Sequence, residues 1–216
     1  MKTCKAFLDG QNVKKIDGII ALILYAFMML TICCSLYVIR RNELDISNYQ
    51  GKIIHGSVLL LILSVSLTSI LKIRKQSLST IGLGHFGRPQ AIISSVLVGA
   101  YIFYFVLKFG FSSDLIFKLY IYFITVGFFE EVLVRGFMWP RLGALFGHKV
   151  GTIITGILFG FAHAPMAIIL YGNDLLVSLF NNIGFGIISH LLFGYIYVKS
   201  KNIVIPSIIH GFLNAL

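Results

Sequence analysis

The sequence is short of charge. Asp, Glu, Lys and Arg supply 12 % of its 216 residues, against about 25 % in a typical soluble domain. Acidic residues are the scarcest, eight against 18 Lys and Arg, while 57 % of the chain is hydrophobic and the mean hydropathy is +0.91. These figures exclude a disordered chain, a disulfide scaffold and an ordinary soluble enzyme, and leave an integral membrane protein. Cysteine is sparse as well. Cys4, Cys33 and Cys34 are an odd set without metal-ligand spacing, and the adjacent pair sits in an apolar run, where packing is the default role. Strict alternation of apolar and polar residues is missing, which argues against a membrane β-barrel. The first apolar run lacks a small-x-small cleavage site and exceeds a signal-peptide core, so it reads as a retained helix.

What is present is a series of long apolar runs. A helix needs about 20 apolar residues to cross the hydrocarbon core, and seven runs approach that length: 18–39, 53–73, 91–111, 115–136, 150–171, 175–198 and 202–216. The expected fold is an all-α polytopic bundle of about seven transmembrane helices, a multi-pass protein of the cell membrane. Its first helices occupy 1–77, and 78–216 carries the unusual residues, both within one integral bundle. The net charge of +10 reflects topology rather than nucleic-acid binding, because the cations lie between the apolar runs. In the seven-helix scheme the outer segments carry only Arg40, Arg41, Lys52, Lys108 and Lys118. The remaining Lys and Arg, including Lys2, Lys5, Arg135, Arg141, Lys149 and Lys201, fall on the other side, which places the N-terminus inside. Gly156 and Gly160, with Gly184 and Gly186 in a similar role, have the small-residue spacing that lets helices approach closely. Gly143, Gly147 and Gly151 share the spacing but flank an expected loop.

Carboxylates inside a membrane are costly, about 2.5–3.5 kcal/mol each at a helix centre. Glu130 and Glu131 nevertheless stand side by side in an apolar run. Arg135 is one turn beyond Glu131 and on its face, so Arg135 neutralises Glu131. Glu130, about 100° further round the helix, is left to point into the bundle. The following run has Phe159 one turn before His163, and the last has His210 one turn before Asn214. Measured at about 1.5 Å per residue from the nearest inner-side charge, Glu130 lies about 16 Å deep, His163 about 21 Å, His210 about 14 Å and Asn214 about 20 Å. The four share one layer. His190 falls in the same layer, whereas His55 lies near the opposite side and His85 and His148 in loops.

One carboxylate, two imidazoles and an amide suit hydrolysis of a carbonyl compound, most naturally a peptide bond. Glu130, His163 and His210 could hold a divalent metal such as zinc with an open water position. Alternatively, Glu130 acts as general base with His163 orienting the water, while His210 and Asn214 donate to the oxyanion. No Ser or Cys has a base beside it in sequence. The chain shows no internal repeat, which argues against a transporter.

Glu-Glu-x-x-x-Arg, Phe-x-x-x-His and His-x-x-x-Asn, in that order on successive late helices, resemble the CAAX prenyl protease and bacteriocin-processing (CPBP, or Abi) family over roughly residues 78–216. Gly194-Tyr-Ile-Tyr and Ile205-Pro-Ser-Ile-Ile-His210 are similar to its final helix pair. The resemblance implies an intramembrane metalloprotease, or a glutamate-dependent protease, surrounded by lipid and acting on peptides or protein C-termini. Glu130, His163, His210 and Asn214 would be catalytic, and Glu131, Arg135 and Phe159 supporting. It also implies an alternative role, non-catalytic immunity to a peptide toxin such as a bacteriocin. His190 belongs to none of these motifs. Neither the oligomeric state nor the substrate is legible.

Overall fold

A computed structural model describes residues 6–8, 10–42, 49–84 and 86–216. Lys2, Cys4, Lys5 and His85 lie outside the described residues. Each of the seven apolar runs is helical, and no strand occurs among the described residues. We label them α1 (Lys15–Arg41), α2 (Tyr49–Ile73), α3 (Arg88–Phe109), α4 (residues 113–146), α5 (His148–Ile169), α6 (Leu175–Ser200) and α7 (Val204–Ala215). Five of them, α1, α2, α3, α5 and α6, are long and apolar enough to cross a membrane. Apolar side chains are exposed along these helices, among them Leu30, Leu61, Val96, Ile153 and Ile188. That is the expected surface of a bundle whose solvent is lipid.

The other two runs depart from a regular span. Helix α4 is composite: α-helix over Ser113–Lys118, π-helix over Leu119–Phe128, a single α turn Phe129–Glu131, π-helix over Val132–Met138 and α-helix over Trp139–Phe146. π segments are rare and concentrate at functional sites, and here they flank the glutamate pair on both sides. Helix α7 has 12 residues, about 18 Å of rise against a hydrocarbon core of about 30 Å. His148 opens α5 instead of lying in a loop.

Close backbone contact sets the spacing of the site helices. A Cβ on Gly160 of α5 would strike the Asn182 carbonyl of α6, and one on Gly186 would strike the Gly160 backbone. Gly184 faces open space and takes no part, contrary to expectation. The Gly151 position packs on the Gly143 backbone across the α4–α5 turn, so that spacing also serves packing. A second crossing has no counterpart in the spacing pattern. A Cβ on Gly127 of α4 would meet the Gly211 nitrogen of α7 at 2.9 Å, and one on Gly211 would meet the Tyr122 carbonyl at 2.5 Å. Glu130 stands one turn from Gly127 and His210 beside Gly211, so this crossing brings the two side chains together.

The first helix joins the same core. Leu24 and Met28 of α1 and Leu63 and Leu67 of α2 bury with Leu133, Phe137 and Phe159. The Tyr25 hydroxyl donates to the Leu158 carbonyl of α5 at 2.8 Å. At the end of the bundle where α1 begins, Arg74 meets the buried Asp17 at 2.7 Å. Arg141 is itself fully buried and donates to Gln76 at 2.6 Å and to the Phe137 carbonyl at 3.0 Å. Gly186→Val is expected to lower stability in detergent by about 1–3 kcal/mol, the cost of overpacking. Gly184→Ala should be neutral or raise stability by up to about 1 kcal/mol, since it only removes helix-interior glycine entropy. Thermal unfolding of the two variants measures the contrast.

Candidate active site

The short α turn between the π segments of α4 presents both glutamates to the bundle. Glu131 is fully buried, as is Arg135, and Arg135 NH1 donates to Glu131 Oε1 at 2.9 Å. The expected ion pair is therefore present. The same oxygen also accepts from His210 Nδ1 at 2.9 Å, a partner that spacing within one helix could not reveal. Arg135 NH2 reaches Ser189 Oγ of α6 at 3.4 Å, and its guanidinium lies 4.2 Å from the Phe159 ring centroid. The charge is thus enclosed by a carboxylate, a hydroxyl and an aromatic face.

Glu130 points elsewhere. Its Oε2 lies 3.7 Å from His163 Nε2 and 3.8 Å from His210 Nε2. Side-chain exposure falls from 38 % at His163 to 22 % at Glu130, 5 % at His210 and 0 % at Glu131. The cluster therefore opens at His163 and closes toward Arg135.

The hydrogen-bond partners place a proton on Nδ1 of each ring. His163 Nδ1 lies 2.9 Å from the Phe159 carbonyl; a carbonyl only accepts, so Nδ1 carries a proton and Nε2 is the nitrogen turned toward Glu130. His210 Nδ1 donates to the Glu131 carboxylate by the same logic. Its ring stacks on Phe193 with centroids 4.7 Å apart and planes 23° apart, and Phe159 meets His163 edge-on at 4.9 Å. Phe193 and Ser189 support the site without belonging to any sequence motif. Only the packing of α6 against α4 and α7 reveals them.

The structure thus brings Glu130, His163 and His210 together and sets Glu131, Arg135 and Phe159 behind them. Asn214 is placed differently. It is exposed, and its Nδ2 donates to the His210 carbonyl of its own helix at 3.1 Å. His190 is buried, with its ring edge-on to Trp139 at 5.1 Å, and stands apart from Glu130. Two cavities of about 320 and 330 Å³ are lined by residues such as Leu8, Pro140 and His148, and Phe7, Ser79 and Lys201. Neither includes a residue of the cluster.

A carboxylate oxygen and two imidazole nitrogens are zinc-type donors. Among the described residues, however, no three His, Cys, Asp or Glu side chains form a ready metal-ligand group. At 3.7–3.8 Å the donors are too far apart for direct hydrogen bonds, yet near enough for one water to touch two of them.

These features define a multi-pass integral membrane protein with a carboxylate–imidazole cluster held between its late helices. Residues 112–216 match the family model described as type II CAAX prenyl endopeptidase Rce1-like, consistent with the CPBP resemblance. No curated protein and no solved structure matches the chain.

Removing Arg135 would leave Glu131 buried without its cation. Arg135→Met is expected to cost about 3–5 kcal/mol, and Glu131→Leu added to it should recover much of that loss. Chemical unfolding of the single and double variants decides whether the pair behaves as a coupled unit.

Proposed function

We propose that the protein hydrolyses peptide bonds in membrane-associated peptides or protein C-termini, with Glu130 as general base. One observation carries this reading: Glu130 Oε2, buried and without a hydrogen-bond partner, lies within 3.8 Å of two imidazole Nε2 atoms from two other helices, one of them the more exposed His163. The family match over residues 112–216 supports the same reaction class.

The chemistry follows from the proton positions. A water between Glu130 Oε2 and His163 Nε2 donates one hydrogen to each. Glu130 takes its proton as the water oxygen bonds to the scissile carbonyl carbon, and His163 holds the attack direction. Negative charge then develops on the carbonyl oxygen. In this scheme His210 meets it through an Nε2 proton, its ring carrying both protons while Nδ1 donates to Glu131. In that form the charges of Glu130, Glu131, Arg135 and His210 sum to zero, the favourable condition for a buried cluster. Asn214 carries a second Nδ2 hydrogen beyond the one used on its own helix and is the second oxyanion donor. The intermediate collapses as the carbon–nitrogen bond breaks. The proton held by Glu130 passes to the departing amine, so the water is divided between the two products.

No step in this scheme runs through a metal. The supporting side chains act before the reaction: the Phe159 carbonyl holds Nδ1 of His163, and Glu131, held by Arg135, holds Nδ1 of His210, so that each Nε2 faces Glu130. In the membrane such preorganised dipoles act in a low-dielectric setting, where they are worth more than in water.

Cleavage of a lipid-anchored peptide and of an unmodified hydrophobic peptide in vesicles tests the proposal. Glu130→Gln is expected to reduce cleavage by about 10²–10⁴-fold, with the unfolding midpoint unchanged. Asn214→Ala should cost about 10²–10³-fold, the usual loss of one oxyanion donor. Full activity in Glu130→Gln rejects the mechanism, and full activity in Asn214→Ala reduces Asn214 to a helix-end hydrogen bond. Cleavage abolished by a chelator and restored by zinc would reassign Glu130, His163 and His210 as ligands.

A further inference from the structure

Behind the cluster, the hydrogen bonds do not close. His190 of α6 is 1 % exposed, and neither of its ring nitrogens has a hydrogen-bond partner. Its one described ring contact is the edge-on packing against Trp139, whose indole nitrogen donates to Thr152 at 2.8 Å and is therefore committed elsewhere. The neighbouring residue, Ser189, touches Arg135, and the Arg135 charge acts on the His190 ring. Arg135 Nε and Glu131 Oε2 are also buried without partners. Four buried polar atoms on α4 and α6 thus have no hydrogen-bond partner, and Arg135, which carries one of them, contacts the residue next to His190. They comprise a guanidinium donor, a carboxylate acceptor and an imidazole that offers one of each. Buried polar groups in folded proteins are almost always satisfied, by ordered water where protein does not reach. This mixture of donors and acceptors is what a water, with about three hydrogen bonds of either sense, can complete. An ion of either sign would satisfy only part of it.

We infer that the space between Glu131, Arg135 and His190 is a buried hydration site, and that His190 is a positioning residue whose bound water holds the Glu131–Arg135–His210 assembly in register. The site is separate from the water that Glu130 activates. It lies on the closed side of the assembly, and its occupant is structural. It rests on the proposed hydrolytic function only in giving the assembly a purpose; the hydration itself does not depend on that function. His190 then needs no metal or substrate to account for its burial in the layer of the other histidines.

The test uses the full chain, labelled with ¹⁵N-histidine and reconstituted in lipid vesicles. Magnetisation is transferred from water to the imidazole nitrogens by solid-state magnetic resonance. The chain has six histidines, and the loss of one signal set in His190→Asn assigns that residue. Transfer to the His190 ring is expected at a rate comparable to that of half-buried His148. His190→Leu should shift the His210 ring signals, and His190→Asn, which retains a donor and an acceptor, should leave them near their original positions. A His190 ring that receives nothing from water overturns the inference, and so does a His190→Leu spectrum with His210 unmoved. Should His190→Leu fail to fold, the transfer in the unaltered protein decides alone. Glu130→Gln separates the two proposals: the reading of Glu130 as base fails if that variant still cleaves, whereas water at His190 should persist in it regardless.

Discussion

Glu131 is the constraint from which the site is built. A carboxylate buried in the middle of a bundle is costly unless paired, and one oxygen of Glu131 accepts from both Arg135 and His210. The first bond lies within α4 and forms as soon as that segment is helical. The second ties α4 to α7 and fixes which nitrogen of His210 faces Glu130. A charge that would otherwise destabilise the bundle thereby becomes the element that orients the buried His210. Arg135 extends the same logic outward, since Ser189, Phe159 and Phe193 surround its guanidinium.

Holding three helices at this distance requires the backbones to meet. The Gly160–Gly186 and Gly127–Gly211 crossings provide that approach, and each lies close to a residue of the cluster. The π segments on either side of the glutamates alter the winding of α4 where it crosses α7. Together these features set a gradient of exposure from His163 inward to Glu131. His163 and Glu130 lie at the more exposed end of that gradient, and Glu131 and Arg135 lie behind them.

Much of this was legible in the sequence because membrane energetics leave few options. Apolar runs of the right length give the helices, and the Glu131–Arg135 pair follows from spacing within one helix. Depth along the helices puts Glu130, His163 and His210 in one layer, and in the structure the three side chains meet. What spacing could not supply was anything that depends on the rotation of one helix against another. The bond from His210 to Glu131, the Phe193 stack, the Gly127–Gly211 crossing and the hydrogen bond that Asn214 makes to its own helix all belong to that kind. So does the breaking of α4 into π and α pieces, since a nearly uniform apolar run has no period from which winding can be read. His190 shows the limit most plainly: depth alone grouped it with the cluster, and only the turn of α6 sets it behind Arg135.

The account stands on the distance between the Glu130 carboxyl group and the two imidazoles. Dipolar recoupling between a labelled Glu130 carboxyl carbon and the Nε2 atoms of His163 and His210, in lipid vesicles, measures it directly. Both separations should fall within the reach of one bridging water, about 5 Å. Separations beyond about 10 Å to both rings would place the carboxylate out of range of any shared water and contradict the mechanism.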